Sequence, residues 1–307
     1  MADRLMEPEQ ISASASTPPY SERPPARLFA LRAGRLEKLA TNHPMGDYLR
    51  LLAGLCQAQQ QVMDEPPASL LPTPERLAQA RTHKMPPLAV DSLVHEDGWQ
   101  PFLDALLERI EAPNDAVAKA LDSLRQADAA QRRAWAVSLL DGDYSALDAA
   151  VVPFLGAALQ AAWSQALLTL PEGSVTDIGS GAHCPCCGSP AMTGVIRHRG
   201  KQQGLRYLVC SLCACEWHFV RVKCVHCDSS KDLHYASLES DRHAPDKAPI
   251  RAECCPGCQS YFKLLYLDSD PDAEGLSADL ASLALDLRMD LEGYQRQAPN
   301  LLLAPGG

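Results

Sequence analysis

Twelve cysteines occur in this chain of 307 residues, and eight of them fall between residues 184 and 258 as four CxxC pairs: Cys184/Cys187, Cys210/Cys213, Cys224/Cys227 and Cys255/Cys258. Two thiolates three positions apart can grip one ion from a tight turn, and two such turns complete a tetrahedral sulfur shell around zinc or iron. Eight sulfurs therefore imply two ions. The first two pairs are separated by 22 residues and the last two by 27, each enough for a hairpin that brings two knuckles together, so sequential pairing is the simplest assignment. Disulfides are the competing use of such thiols, but they require an oxidising compartment, and the start MADRLMEPEQ has neither the basic nor the apolar stretch of an export signal. The expectation is a cytoplasmic protein with reduced thiols. Cys186, Cys215 and Cys254 sit one or two positions from a ligand, which admits other registers; only the chosen set gives CxxC four times. Cys56 lies in a helical apolar pattern and reads as packing.

A closed four-sulfur shell leaves no position for water, which argues against hydrolysis at these centres. Six of the nine histidines, His183, His198, His218, His226, His234 and His243, share the cysteine region, but eight thiolates already satisfy two ions, and the histidines read as surface or supporting groups. A redox CxxC would cap a helix in a βαβ unit, a setting absent here. No GxxxxGK[ST], HExxH or GxSxG occurs, and Asp141/Asp143 and Asp268/Asp270 read as solvated turn residues.

The elements that must position the knuckles look like two rough copies. Trp217 follows Cys213 by four residues in CEWHFVRV, and Phe262 follows Cys258 by four in QSYFKLLYL, so in each half a knuckle runs into a strand. Turn signals at 201–204 and 241–249 lie midway in each half. Upstream the pattern is helical: Tyr48, Leu52, Leu55 and Cys56 make one stripe, and Trp99, Phe102, Leu103, Leu106, Leu107 and Ile110 another. Asn114 caps a helix carrying Val117, Leu121 and Leu124, and further helices fit about 129–140 and 153–169, with Pro153 in a first turn. The expected fold is thus an all-helical domain of five to seven helices, then two tandem rubredoxin-like or zinc-ribbon modules and a C-terminal helix. The expected boundaries are a flexible arm at 1–27, the helical domain at 28–171, a linker at 172–183, modules at 184–222 and 223–268, and a last helix and tail at 269–307. Leu276, Leu280, Leu283, Leu287, Leu291 and Tyr294 form that helix's apolar stripe, which must pack on the helical domain or on a second copy of the chain, leaving a homodimer open.

The formal charge is -10, yet residues 180–267 carry 11 Lys and Arg against 7 Asp and Glu, or +4, which leaves -14 elsewhere. Thiolate shells around divalent ions are themselves negative, so the excess of cations offsets them and nucleic acid is not the expected partner. A nucleic-acid-binding zinc ribbon and an iron redox relay acting on a client enzyme stand as the alternative readings. No apolar run reaches the roughly 18 residues a membrane span needs, so membrane insertion is not expected.

The motifs CPCCGSP at 184, GLRYLVCSLCACEWHFVRVKCVHC at 204–227, LHYASL at 233, ECCPGCQSYFKLLY at 253 and DLASLALDLRMDLEGY at 279, with NHPMGDYLRLLAGLCQAQ at 42, resemble the formate dehydrogenase accessory protein FdhE family over nearly the whole chain. The resemblance implies a cytoplasmic, non-enzymatic assembly factor for respiratory formate dehydrogenases. Such a factor binds the selenocysteine- or molybdenum-containing catalytic subunit before its export by the twin-arginine pathway. It also implies two mononuclear iron sites, held here by Cys184, Cys187, Cys210, Cys213, Cys224, Cys227, Cys255 and Cys258. Zinc is the alternative, since it outranks Fe(II) at a thiolate site in intrinsic affinity. Cys186, Cys215 and Cys254 depart from the family pattern.

Overall fold

The periodic stretches fold as helices with legible ends. In the computed structural model, which describes residues 20–177, 181–198, 203–238, 243–298 and 300–304, α1 (Leu28–Ala40) packs on α2 (Gly46–Asp64), burying Leu36, Leu49, Leu52 and Cys56 between them. After the proline-rich break come α3 (Pro74–Thr82), the single turn α4 (Val90–Leu93) and α5 (Gln100–Arg109). Next are α6 (Asp115–Gln126) and α7 (Ala129–Asp141). Asn114 Oδ1 accepts from the Val117 N–H at 3.0 Å and Asp128 Oδ1 from that of Gln131 at 2.8 Å, satisfying amide donors that an α-helix leaves open at its start. Among the described residues this region holds eight helices rather than five to seven. The additions are α3, which buries no side chain and so shows no apolar period, and α4, too short to show one.

The pivot of the molecule is α8 (Val152–Thr169). Its sequence VPFLGAALQAAWSQALLT carries no charge, and every residue from Val152 to Leu167 is buried. A helix apolar on all sides must be surrounded. On one side stand α2, α5 and α7; on another stand the cysteine knuckles.

The two sheet halves repeat one order of parts: knuckle, strand, strand, knuckle, strand. The first has β2 (Ala191–Ile196), β3 (Arg206–Cys210) and β4 (Glu216–Phe219). The second has β5 (His234–Ala236), β6 (Ile250–Cys255) and β7 (Ser260–Tyr266). Pairing within each half is antiparallel. The halves fuse through a parallel pairing of β2 with β7, where Gly194 faces Leu264 and Ile196 faces Tyr266. With β1 (Ser21–Glu22) beyond β4 and β8 (Gln295–Arg296) on β7, the result is one eight-stranded sheet in the order β1-β4-β3-β2-β7-β6-β5. All six residues of β2 are buried, as suits a central strand covered on both faces. The turn signals at 201–204 and 241–249 lie partly outside the described residues.

Three expectations need correction. The arm at 1–27 is not flexible to its end: Ser21 and Glu22 pair with Trp217 and Glu216, Tyr20 O accepts from the His218 N–H at 2.9 Å, and Arg23 Nη2 donates to Leu170 O at 2.6 Å. Backbone pairing at a sheet edge needs no apolar side chains, so it left no mark in the composition. The last stripe is not one helix but α9 (Gly275–Leu280) and α10 (Leu283–Leu291), broken at Ala281–Ser282. The break turns the face: Leu276 and Leu280 are buried, whereas Leu287 and Leu291 are exposed and Leu285 and Met289 are buried in their place. Asp270, read as a solvated turn residue, is three-quarters buried and pairs with Arg35.

Candidate metal centres

The sulfurs gather in two groups. The Sγ atoms of Cys184, Cys187, Cys210 and Cys213 all lie within 4.8 Å of one another, and so do those of Cys224, Cys227, Cys255 and Cys258. In the first group Cys184 and Cys213 are 3.6 Å apart and Cys187 and Cys210 3.4 Å; in the second the gaps from Cys224 to Cys258 and from Cys227 to Cys255 are 3.8 and 3.6 Å. A disulfide would place two sulfurs about 2.05 Å apart, and every cysteine here is free. A tetrahedron of sulfurs around one ion at about 2.3 Å has edges of about 3.8 Å. The donor sets thus fit a tetrahedral thiophilic ion, zinc or iron.

The knuckles share one local construction. The N–H two residues after the first cysteine points at that cysteine's sulfur at 3.4 Å in three of them, from Cys186 to Cys184, Leu212 to Cys210 and His226 to Cys224. Each of the same three is closed by the first cysteine's N–H donating to a carbonyl five residues on: Cys184 to Ser189, Cys210 to Cys215, Cys224 to Ser229. Directly after the second cysteine all four turn through positive φ, at Gly188 (83°), Ala214 (56°), Asp228 (62°) and Gln259 (52°). Only Gly188 announces this in the sequence. N–H groups aimed at sulfur favour the thiolate, which is the form that binds a metal.

The centres differ in their surroundings. Around the first, Gln160 Nε2 and Ser164 Oγ of α8 donate to Ser211 O at 2.8 Å and Cys213 O at 3.3 Å. The Leu88 and Val90 N–H groups donate to Cys186 O and Cys187 O at 2.8 and 2.9 Å, and Trp163 Nε1 ties Leu88 O back to α8 at 3.0 Å. All four cysteines are at most 1% exposed and belong to the same core as the helices. Burial first, and then hydrogen bonds among the neighbouring thiols, push the Cys184 and Cys213 thiols well up, so a cation must take the place of their protons before a thiolate shell is tolerable there. At the second centre Cys224 and Cys255 are buried, Cys258 is half-buried with Ser260 Oγ 2.9 Å from its sulfur, and Cys227 is exposed.

The remaining thiols are sorted by packing. Cys254 faces Met289 of α10, with 3.4 Å between the sulfurs, while Cys255, one residue on along β6, faces Cys227. Cys56 is fully buried between α1 and α2, and burial pushes its thiol up to about 12. Cys186 and Cys215, by contrast, turn toward Cys184. No histidine enters a metal-competent group among the described residues; His218 stacks edge-on against Tyr207 and His234 against Tyr294.

A helical domain sharing its core with a sheet that carries two tetracysteine knuckle pairs defines a class of protein able to hold two thiophilic ions. Models of the FdhE N-terminal, central and C-terminal domains match residues 17–180, 183–221 and 222–303, and the chain belongs to the FdhE family. A protein FdhE homolog of Pseudomonas putida is 59% identical over 304 residues, covering 99% of this chain and 96% of its own. Protein FdhE of Salmonella arizonae is 38% identical over 281 residues, covering 91% and 89%. The crystal structure of the FdhE protein from Pseudomonas aeruginosa superposes with a TM-score of 0.88 at 56% identity, over 94% of this chain and 100% of that one. No helix among the described residues is long and apolar enough to cross a membrane.

Proposed function

We propose that this protein is a cytoplasmic, non-enzymatic accessory factor for respiratory formate dehydrogenase, binding the catalytic subunit of that enzyme before export. Its eight knuckle cysteines hold two metal ions, iron in the cell, with zinc as the competing occupant. The observation that carries the reading is the pairing of two four-sulfur groups, each with donors enough to fill a tetrahedral ion, in a chain whose residues 17–180, 183–221 and 222–303 match the FdhE family. A factor of this kind works by presenting a surface that metal keeps folded, because the energy of closing such a shell is largely folding energy.

Deletion of the gene should abolish formate oxidation by the respiratory enzyme while leaving synthesis of its catalytic subunit intact, and that subunit should co-purify with the tagged protein. Normal formate oxidation in the deletion strain would refute the role. A full defect without co-purification would remove the direct partner and leave the accessory role.

A further inference from the structure

Two cysteines that neither tetrahedral set requires converge on the first one. The sulfurs of Cys184, Cys186 and Cys215 all lie within 4.8 Å of one another, and the three residues are 0%, 1% and 1% exposed. They come from the two knuckles of one centre, and the backbones of Cys186 and Cys215 are each held by a hydrogen bond. The Leu88 N–H holds the Cys186 carbonyl at 2.8 Å, and the Cys210 N–H holds that of Cys215 at 2.9 Å. Cys215 Sγ has a further neighbour in Glu216 O at 3.6 Å. Packing needs only apolar volume, and the single cysteines Cys56 and Cys254 supply it elsewhere; three sulfurs this close together make a donor set.

We propose that Cys184, Cys186 and Cys215 form a further metal position, a three-sulfur site for Cu(I) that shares the Cys184 sulfur with the first tetrathiolate centre. It rests on the reading of that centre as a metal site, because Cys184 is common to both. Three sulfurs in a plane around one ion at bonds near 2.3 Å stand about 4.0 Å apart, inside the observed limit. Soft sulfur-only donors select Cu(I), zinc or iron among the common ions. Zinc or iron in a closed sulfur site takes four protein donors, whereas this group offers three and is shut off from solvent. Cu(I) accepts three. On binding, the Cys186 and Cys215 thiols each release a proton to solvent, Cys184 becomes a bridging thiolate, and the copper stays Cu(I) throughout. A thiolate unpaired with a cation would be expensive at this depth, so the ion is also what holds the two sulfurs ionised.

The test titrates Cu(I) anaerobically into the full-length protein carrying its two tetrathiolate ions, against the chromogenic chelator bathocuproine disulfonate, while iron, zinc and copper are counted together. The expected result is one Cu(I) per chain withheld from the chelator with both original ions retained. Cys186→Ser and Cys215→Ser should each keep two iron or zinc ions, showing that the fold persists, and lose the copper. Copper that binds only as iron or zinc leaves, or that binds the serine variants equally well, would overturn the proposal. Two retained ions with no copper would overturn it alone, whereas a folded chain that holds no ion in either tetrathiolate set would overturn the parent reading as well.

Discussion

At the scale of single residues, the sheet is held by buried ions that no composition analysis would place inside. Arg206 of β3 and Glu253 of β6, 0% and 2% exposed at their side chains, pair at 3.0 Å across the two strands between them. Gly194 between them leaves room for the neighbouring apolar side chains: a Cβ there would sit 2.7 Å from Leu264 Cδ2 and 3.1 Å from the Phe262 ring. Glu253→Leu strands the guanidinium and should cost about 3 to 5 kcal/mol, of which the double variant Arg206→Met/Glu253→Leu should regain most. Denaturant midpoints decide this, and a double variant no better than the single would contradict it. Asp279 lies between Lys263 Nζ at 3.0 Å and Arg296 Nη2 at 2.8 Å. Burial opposes its ionisation, but the two cations prevail and hold its carboxyl well below the usual range. Since the folded value is the depressed one, the stability it contributes is full above the unfolded value of about 3.9 and is lost as pH falls through the folded value. Asp279→Asn should therefore lose less stability than the parent on going from pH 5 to pH 3; equal losses would show that the carboxylate is not the titrating group. Gln259, exposed at φ 52°, bears the strain of a side chain in the left-handed region. Gln259→Gly should stabilise the chain by about 1 kcal/mol, visible as a raised midpoint.

At the scale of elements, what could be read ahead was what is local. Three-residue cysteine spacing brings two sulfurs together whatever surrounds them, and Asn114, Pro153 and the 3.6-residue stripes upstream of the cysteines marked helices that formed as expected. The parallel pairing of β2 with β7, from segments about 70 residues apart, leaves no periodic trace. Nor did the apolar character of α8 say that Gln160 and Ser164 would face a knuckle. Nothing local marks Lys263 and Arg206 as buried, because the partners that allow it, Asp279 and Glu253, lie 16 and 47 residues along the chain. The composition assigns the tail at the end of 269–307 no contact, yet Leu301 and Leu302 are buried and Tyr48 Oη donates to Leu302 O at 2.5 Å. Gly156 of α8 is its seat: a Cβ there would fall 2.0 Å from Leu301 O. Gly156→Ala should push the tail off and cost about 1 to 3 kcal/mol, with faster proteolysis of the C-terminus as its direct readout and unchanged cleavage as the contrary result.

The whole molecule is asymmetric in how it encloses its two centres. The first is sewn into the helical core by α8 and the 88–90 segment, whereas the second stands at the edge with Cys227 open to solvent. A chelator should therefore remove one ion quickly and the other only on unfolding, and equal rates of loss would contradict that asymmetry. Everything larger depends on the eight cysteines holding two ions in the first place. The decisive measurement is the iron and zinc content of the reduced protein purified without added metal, read beside its visible spectrum and those of Cys187→Ser and Cys258→Ser. Two ions per chain are expected in the parent, with the absorption of ferric thiolate appearing on air oxidation if iron fills them, and one ion in each variant. A reduced, folded parent without either metal would contradict this.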